Sequence, residues 1–206
     1  MLWTLSGDKL SSPDRPLIIT VRQNVALHDV NVYEDMFALL FYADGMVSTY
    51  DLQTGKHVFD IVCPETEAKK YMESSVVYPY EKGFYQIRNG SSEGMLRYLD
   101  IEKREWTTVM APNYRLNNVV VHKGKLYVAT QFGYWIYNLA TGEKTIVDEL
   151  TLSKGRKLKT DVNTIAFDRQ GGMWIGTEMR GLLYAKPYLS PFHVFSWNNP
   201  ESRTLY

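Results

Sequence analysis

The sequence predicts an all-β protein, a β-propeller built of four-stranded antiparallel blades, on three observations. One pattern of strands and turns is written four times, centred on Phe37-Ala38-Leu39-Leu40, Phe84-Tyr85-Gln86-Ile87, Leu126-Tyr127-Val128-Ala129 and Met173-Trp174-Ile175-Gly176. A period of forty-odd residues carrying several short strands is the mark of propeller blades. Turn residues such as Asp44-Gly45, Lys123-Gly124 and Gly171-Gly172 separate the apolar runs, and such pairs tolerate the positive φ of tight hairpins. Apart from Glu65 to Met72, no stretch of a dozen residues carries helical periodicity.

Taken in chain order, residues 1–24 contain Leu2 to Leu5 and Leu17 to Arg22, expected as outer strands of a preceding or closing blade. Residues 25–69 form the first full blade, with Glu34-Asp35, Ala43-Asp44-Gly45 and Gln53-Thr54-Gly55-Lys56 as its turns. Pro64 followed by Glu65 to Met72 predicts one or two helical turns before the next blade. Blades are expected over 70–113, 114–158 and 159–197, where runs of five to seven β-branched and aromatic residues suit strands. Residues 198–206 read as the start of another blade or a tail. A strand pair at one end and a fresh start at the other favour about four blades of a larger, seven-bladed ring, with a small closed ring of these four blades as the alternative.

Composition narrows the function. Lys and Arg number 23 and so do Asp and Glu, so no cationic excess is available to neutralise a phosphate backbone, and nucleic acid is not expected as a partner. No apolar stretch approaches the ~18 residues of a membrane span, so no membrane insertion is expected within this chain. Cys63 is the single cysteine, which rules out an intramolecular disulfide and a thiolate metal cage.

No catalytic constellation, metal site or cofactor motif is expected. Gly90-Ser91-Ser92-Glu93-Gly94 spells a nucleophile motif, but it falls between two strands and reads as a hairpin, whereas catalysis needs a strand–turn–helix. His28, His57, His122 and His193 lack metal-ligand spacing. Glu34-Asp35 and Asp148-Glu149 are adjacent carboxylates, and because neighbours on a strand point to opposite faces neither pair naturally forms an acid/base dyad. Gly-Lys at 55–56 and 124–125 sits in hairpin turns rather than in a phosphate loop.

The candidate chemistry therefore lies in loops. In a propeller, the turns between second and third strands share one face with the connections between blades. That face should collect Asp44, Ser91, Met179, Asn117 and Asp161 together with the candidate ligand-binding set Arg180, Phe132, Gln131, Glu178, Asn89, Asn118 and Asn163. Amides, a carboxylate, an arginine and an aromatic suit a hydroxyl-rich small molecule such as an oligosaccharide. Arg180 and Phe132 lead, because large side chains at loop tips call for a purpose. A rival reading draws an acid and a base from Glu178, Asp161 or His122, as a propeller glycan lyase or hydrolase would; a third is a protein-interaction scaffold. Of Tyr134 and Trp135, one should pack between blades and the other face a groove, while Trp106 and Trp174 belong to the core.

The fourth repeat is the most specific. Asp168-Arg169-Gln170-Gly171-Gly172-Met173-Trp174-Ile175-Gly176-Thr177, followed by Gly181-Leu182-Leu183-Tyr184, resembles the two-component-regulator propeller repeat. Gly124-Lys125-Leu126-Tyr127-Val128-Ala129-Thr130 is a degraded copy, with Tyr127 for Trp and Ala129 for Gly. Physically, Trp174 can fill space between blades, Gly176 leaves room where strands converge, and Thr177 can satisfy backbone groups at a strand end. The resemblance implies a non-catalytic, periplasmic sensor module of a bacterial hybrid two-component receptor, responsive to a glycan. It also implies partners among other blades or sensor domains of the parent receptor, or a second copy in a homodimer.

Overall fold

Alternating apolar residues make strands, and left-handed backbone at the intervening turns folds each strand onto the last. The structure, a computed structural model, describes residues 4–6, 9–11, 19–187 and 192–195. The chain divides into two compact units, 1–75 and 76–206.

In the first unit, β1 (Thr4–Ser6) pairs with β2 (Lys9–Ser11). A four-stranded antiparallel blade follows, ordered β3 (Leu27–Tyr33), β4 (Phe37–Tyr42), β5 (Val47–Asp51) and β6 (His57–Ile61). Glu34 and Asp35 both take positive φ, at 51° and 54°, as the central pair of a type I′ turn demands, closed by Met36 N–H donating to Tyr33 O at 3.2 Å. Ala38, Leu40, Tyr42 and Tyr50 form the buried cluster, with Ile19, Val25 and Leu52 against it. The short helix α1 (Glu65–Lys70) appears where Pro64 predicted it. Leu17, Ile18 and residues 198–206 lie outside the described residues.

The second unit carries three more blades of the same order. They are β7 (Ser74–Tyr80, its first two residues counted with the other unit), β8 (Gly83–Asn89), β9 (Gly94–Asp100) and β10 (Glu105–Met110); then β11 (Leu116–His122), β12 (Lys125–Thr130), β13 (Gly133–Asn138) and β14 (Lys144–Val147). After a small hairpin of β15 (Leu150–Thr151) and β16 (Lys157–Leu158), the last blade runs β17 (Thr164–Phe167), β18 (Met173–Gly176), β19 (Leu182–Ala185) and β20 (His193–Phe195). The β15–β16 hairpin was not expected from the sequence.

Register confirms that the repeats are structural equivalents. Tyr127 pairs Val120 on one side and Ile136 on the other, and Trp174 pairs Ala166 and Tyr184 in the same way. Between the second and third blades, Ile87, Leu96, Leu116, Val119, Leu126 and Val128 are buried together. Between the third and fourth, Ala129, Tyr134, Leu150, Val162, Ile165, Ile175 and Leu183 form the other core. Tyr134 thus packs between blades. Trp135, one residue on, lies on the opposite sheet face and donates its indole N–H to Tyr114 Oη at 2.8 Å.

The repeat residues have local tasks. Asp168 Oδ1 accepts the N–H groups of Gly172 at 2.7 Å and Gln170 at 3.0 Å, and Oδ2 accepts Trp174 Nε1–H at 3.4 Å. Trp174 lies against Tyr184 of its own blade, ring centroids 4.4 Å apart. A Cβ on Gly172 would meet the Tyr184 ring at 2.5 Å, so this position has no room for a side chain.

Candidate ligand-binding face

Each blade of the second unit sends the turn between its second and third strands, here β8–β9, β12–β13 or β18–β19, to the end where the connections between blades also run. Three asparagines there tie blades together. Asn89 Nδ2 donates to Leu116 O at 2.8 Å while its Oδ1 accepts Leu116 N–H at 3.0 Å. Asn117 Nδ2 donates to Val162 O at 2.8 Å, and Asn118 Oδ1 accepts Ile165 N–H at 3.2 Å. Asn89 is only 4% exposed. Of the candidate ligand set, then, Asn89 and Asn118 hold the backbone of the next blade. Both sit at the face, but their amide groups are engaged in the scaffold, because a strand end next to another blade leaves backbone groups that need partners.

Four of the remaining candidates, Gln131, Phe132, Glu178 and Arg180, belong to two matched turns, and Asn163 stands just before β17. Thr130 Oγ1 donates to Gly133 O at 3.1 Å and accepts Phe132 N–H at 3.1 Å. Thr177 Oγ1 donates to Gly181 O at 2.8 Å and accepts Arg180 N–H at 2.9 Å. Phe132 and Arg180 therefore occupy the same station, just before the closing glycine, in successive blades. Phe132 is 54% exposed and meets the Tyr114 ring edge-on, 5.5 Å between centroids. Gln131, Glu178, Arg180 and Asn163 are exposed.

A cavity of about 360 Å³ opens beside Phe132, lined by Gln131, Asp148, Lys159, Thr160 and Asp161. Asp148, Lys159, Thr160 and the aromatic partner Tyr114 were not singled out from the sequence as ligand contacts. They lie in connections between blades, and their type alone carries no signal. Lys159 Nζ approaches Asp148 Oδ2 at 3.9 Å on the surface, a pair that adds little stability but supplies both charge signs.

Asp161 and Glu178 come within hydrogen-bonding reach across the blade boundary. That bond, then the Asp161 charge, raises the Glu178 carboxyl above the ordinary glutamate range. His122 is elsewhere. It ends β11, whose first residue Leu116 is held at the rim, and seven residues of strand separate the two by about 20 Å. The three groups of the lyase or hydrolase reading are therefore not assembled. Gly90 to Gly94 is a hairpin, with Gly90 N–H donating to Glu93 O at 2.9 Å, and offers no nucleophile elbow. Among the described residues, no three His, Cys, Asp or Glu side chains gather into a metal-holding group. No helix among them is long and apolar enough to cross a membrane.

Residues 158–179, which run from the end of β16 through β17 and β18 to the Thr177 turn, match the family model described as two component regulator propeller. The match falls in the fourth blade and the connection that leads into it. The matched segment includes the Asp168–Trp174 lock and the Asp161–Glu178 contact, so it reaches the rim itself. No curated protein matches the chain.

Solved structures share the fold. The extracellular domain of a hybrid two component system from B. thetaiotaomicron superposes with a TM-score of 0.60 and 18% identity, over 94% of this chain and 26% of that one. The computationally designed Ika4 protein gives 0.59 and 11% identity, over 84% of this chain and 99% of the other. Ika8, also designed, gives 0.54 and 10% identity, over 78% and 46%. At these identities the likeness is one of fold, a β-propeller of four-stranded blades, and the chain spans about a quarter of the two component system's domain.

Proposed function

We propose that this chain is a non-catalytic, ligand-sensing propeller segment of a bacterial two-component receptor, acting outside the cytoplasm, and that its ligand is an oligosaccharide. The regulator-propeller repeat and the likeness to an extracellular domain of a hybrid two component system support the sensor class. The observation that carries the ligand reading is the rim cavity beside Phe132. An exposed ring there supplies a stacking surface, and Gln131, Thr160, Lys159 and Asp161 supply an amide, a hydroxyl and both charge signs. Sugars need this combination, a flat apolar contact with several directional hydrogen bonds.

The rival glycan-cleaving reading has one observation in its favour, the Asp161–Glu178 pair. Its geometry suits glycoside hydrolysis poorly. Carboxyls that flank a glycosidic bond stand about 5–9 Å apart and face the sugar, whereas these two bond to each other. Calorimetry of the receptor carrying this chain against a panel of oligosaccharides tests the sensor reading. Binding that Phe132→Ala weakens, with no glycan turnover, is expected. Silence across the panel, with signalling unchanged in Arg180→Ala, would overturn it, and turnover abolished by Glu178→Gln would favour the rival.

A further inference from the structure

At the far end of the third and fourth blades, away from the rim, lies a larger groove of about 470 Å³. Its floor is aromatic and apolar: Tyr127, Phe167 and Met173. His122 lies flat on Phe167, centroids 4.0 Å apart and planes 5° from parallel, and Tyr127 tilts against the same ring at 4.9 Å. Three lysines stand around this floor. Lys123 comes from the β11–β12 turn, Lys125 from the start of β12 and Lys186 from just beyond β19.

The Lys123 ammonium sits in the groove, since a Cβ built on Gly171 would lie 3.3 Å from Lys123 Nζ and 3.8 Å from His122 Nε2. Asp168 is the acidic group that acts on His122. Its oxygens already accept the Gly172, Gln170 and Trp174 N–H groups. Burial first, and Lys123 second, hold the His122 imidazole below its ordinary pKa, against the pull of Asp168, so its ring stays a neutral, flat surface at pH 7. The chain as a whole has net charge +0, yet the three lysines make this groove locally cationic. Cations around stacked rings are complementary to an anion borne on a flat apolar body. The volume suits a small molecule.

We propose that the His122–Phe167 groove binds a small aromatic anion, an aryl carboxylate or sulfonate, at a site separate from the rim and independent of the glycan reading. The ring of the ligand lies against Phe167 and Tyr127, and its acid group meets the ammonium groups of Lys123, Lys125 and Lys186.

The test uses 2-naphthoate as probe, with neutral 2-naphthol and acetate as comparisons, by calorimetry on the 206-residue chain. Saturable one-to-one binding of 2-naphthoate is expected at roughly millimolar affinity or better, from the efficiency of ligands of this size. 2-Naphthol and acetate should each bind at least about tenfold more weakly. Lys125→Met combined with Lys186→Met, both exposed positions that leave the core intact, should weaken 2-naphthoate roughly five- to tenfold. Raising the salt should weaken it as well. No binding of 2-naphthoate, equal binding of 2-naphthol, or unchanged affinity in the double variant would each overturn the proposal. An acidic aromatic peptide that binds this groove much more tightly than 2-naphthoate would also overturn it, in favour of a protein partner.

Discussion

Asn89 grips Leu116 by both ends of its amide, donating to the carbonyl at 2.8 Å and accepting from the N–H at 3.0 Å, as a paired strand residue would. One side chain thus continues the hydrogen bonding of the second blade into the third, with Leu116 itself fully buried. Asn89→Ala leaves two buried backbone groups without partners, and each such loss costs about 1–3 kcal/mol. Urea unfolding should show a destabilisation of about 3 kcal/mol with the m-value unchanged. A change below about 0.5 kcal/mol would mean that water replaces the amide. Gly94→Ala should act through the same contact, because its Cβ would lie 2.7 Å from Asn89 Oδ1 and 3.0 Å from Leu116.

The turn threonines make a matched pair of probes. Thr130 is fully buried and Thr177 is half-buried, yet both close their turns with the same two bonds. Thr130→Val removes a buried hydroxyl and should cost about 1–3 kcal/mol. Thr177→Val should cost less, because water reaches its turn. Thermal unfolding of the two variants side by side gives the order, and equal losses would refute the burial argument.

Stability should also depend on pH through Glu178. Its folded pKa is raised, chiefly by the hydrogen bond that its protonated carboxyl donates to Asp161 and then by that residue's charge. A raised pKa means the contribution is present below the ordinary glutamate value and is lost as pH rises through the folded value. Melting temperatures taken upward from pH 4 should therefore fall by a step that Glu178→Gln removes. Asp168 runs the other way. Burial pushes its pKa up, but the Gly172 and Gln170 N–H groups and the Trp174 and Tyr184 side chains outweigh that and hold it below the ordinary aspartate range. Its contribution is present above the ordinary value and is lost as pH falls, and Asp168→Ala should remove that acid-side loss.

Burial gives an alkaline counterpart. It pushes Tyr134 up to about 12, with the Tyr127 charge adding to it, and Tyr85 up to about 12 with help from Tyr80, Tyr98 and Glu81. Both are neutral when folded at pH 10 and ionise on unfolding, so stability should drop between about pH 10 and 12. Absorbance titration of tyrosinate should show late-ionising phenols, and Tyr134→Phe should remove one of them.

Strand rhythm was legible in the sequence because hairpin chemistry is local: Glu34-Asp35 and Lys123-Gly124 declare their turns whatever surrounds them. Trp174 could be placed at a strand centre, but its contacts with Tyr184 and Asp168 depend on strand pairing, which sequence spacing does not reveal. Asn89 and Asn118 looked like rim ligands because an amide at a strand end has the same spelling whether it meets a sugar or a neighbouring backbone. The β15–β16 hairpin was missed because two-residue strands carry no periodicity. Phe132, Gln131 and Asp161 lie together beside one cavity, a grouping that blade topology makes readable from the sequence. Lys159 and Thr160 join them only through the course of the connection between blades.

Amide chemical-shift mapping of the isotope-labelled chain against an oligosaccharide panel tests the sensing face most directly. Perturbations that saturate and cluster at residues 130–133, 159–163 and 177–181 are the expected result. Shifts confined to the His122 end of the blades, or none with any glycan, would contradict a sugar-binding rim.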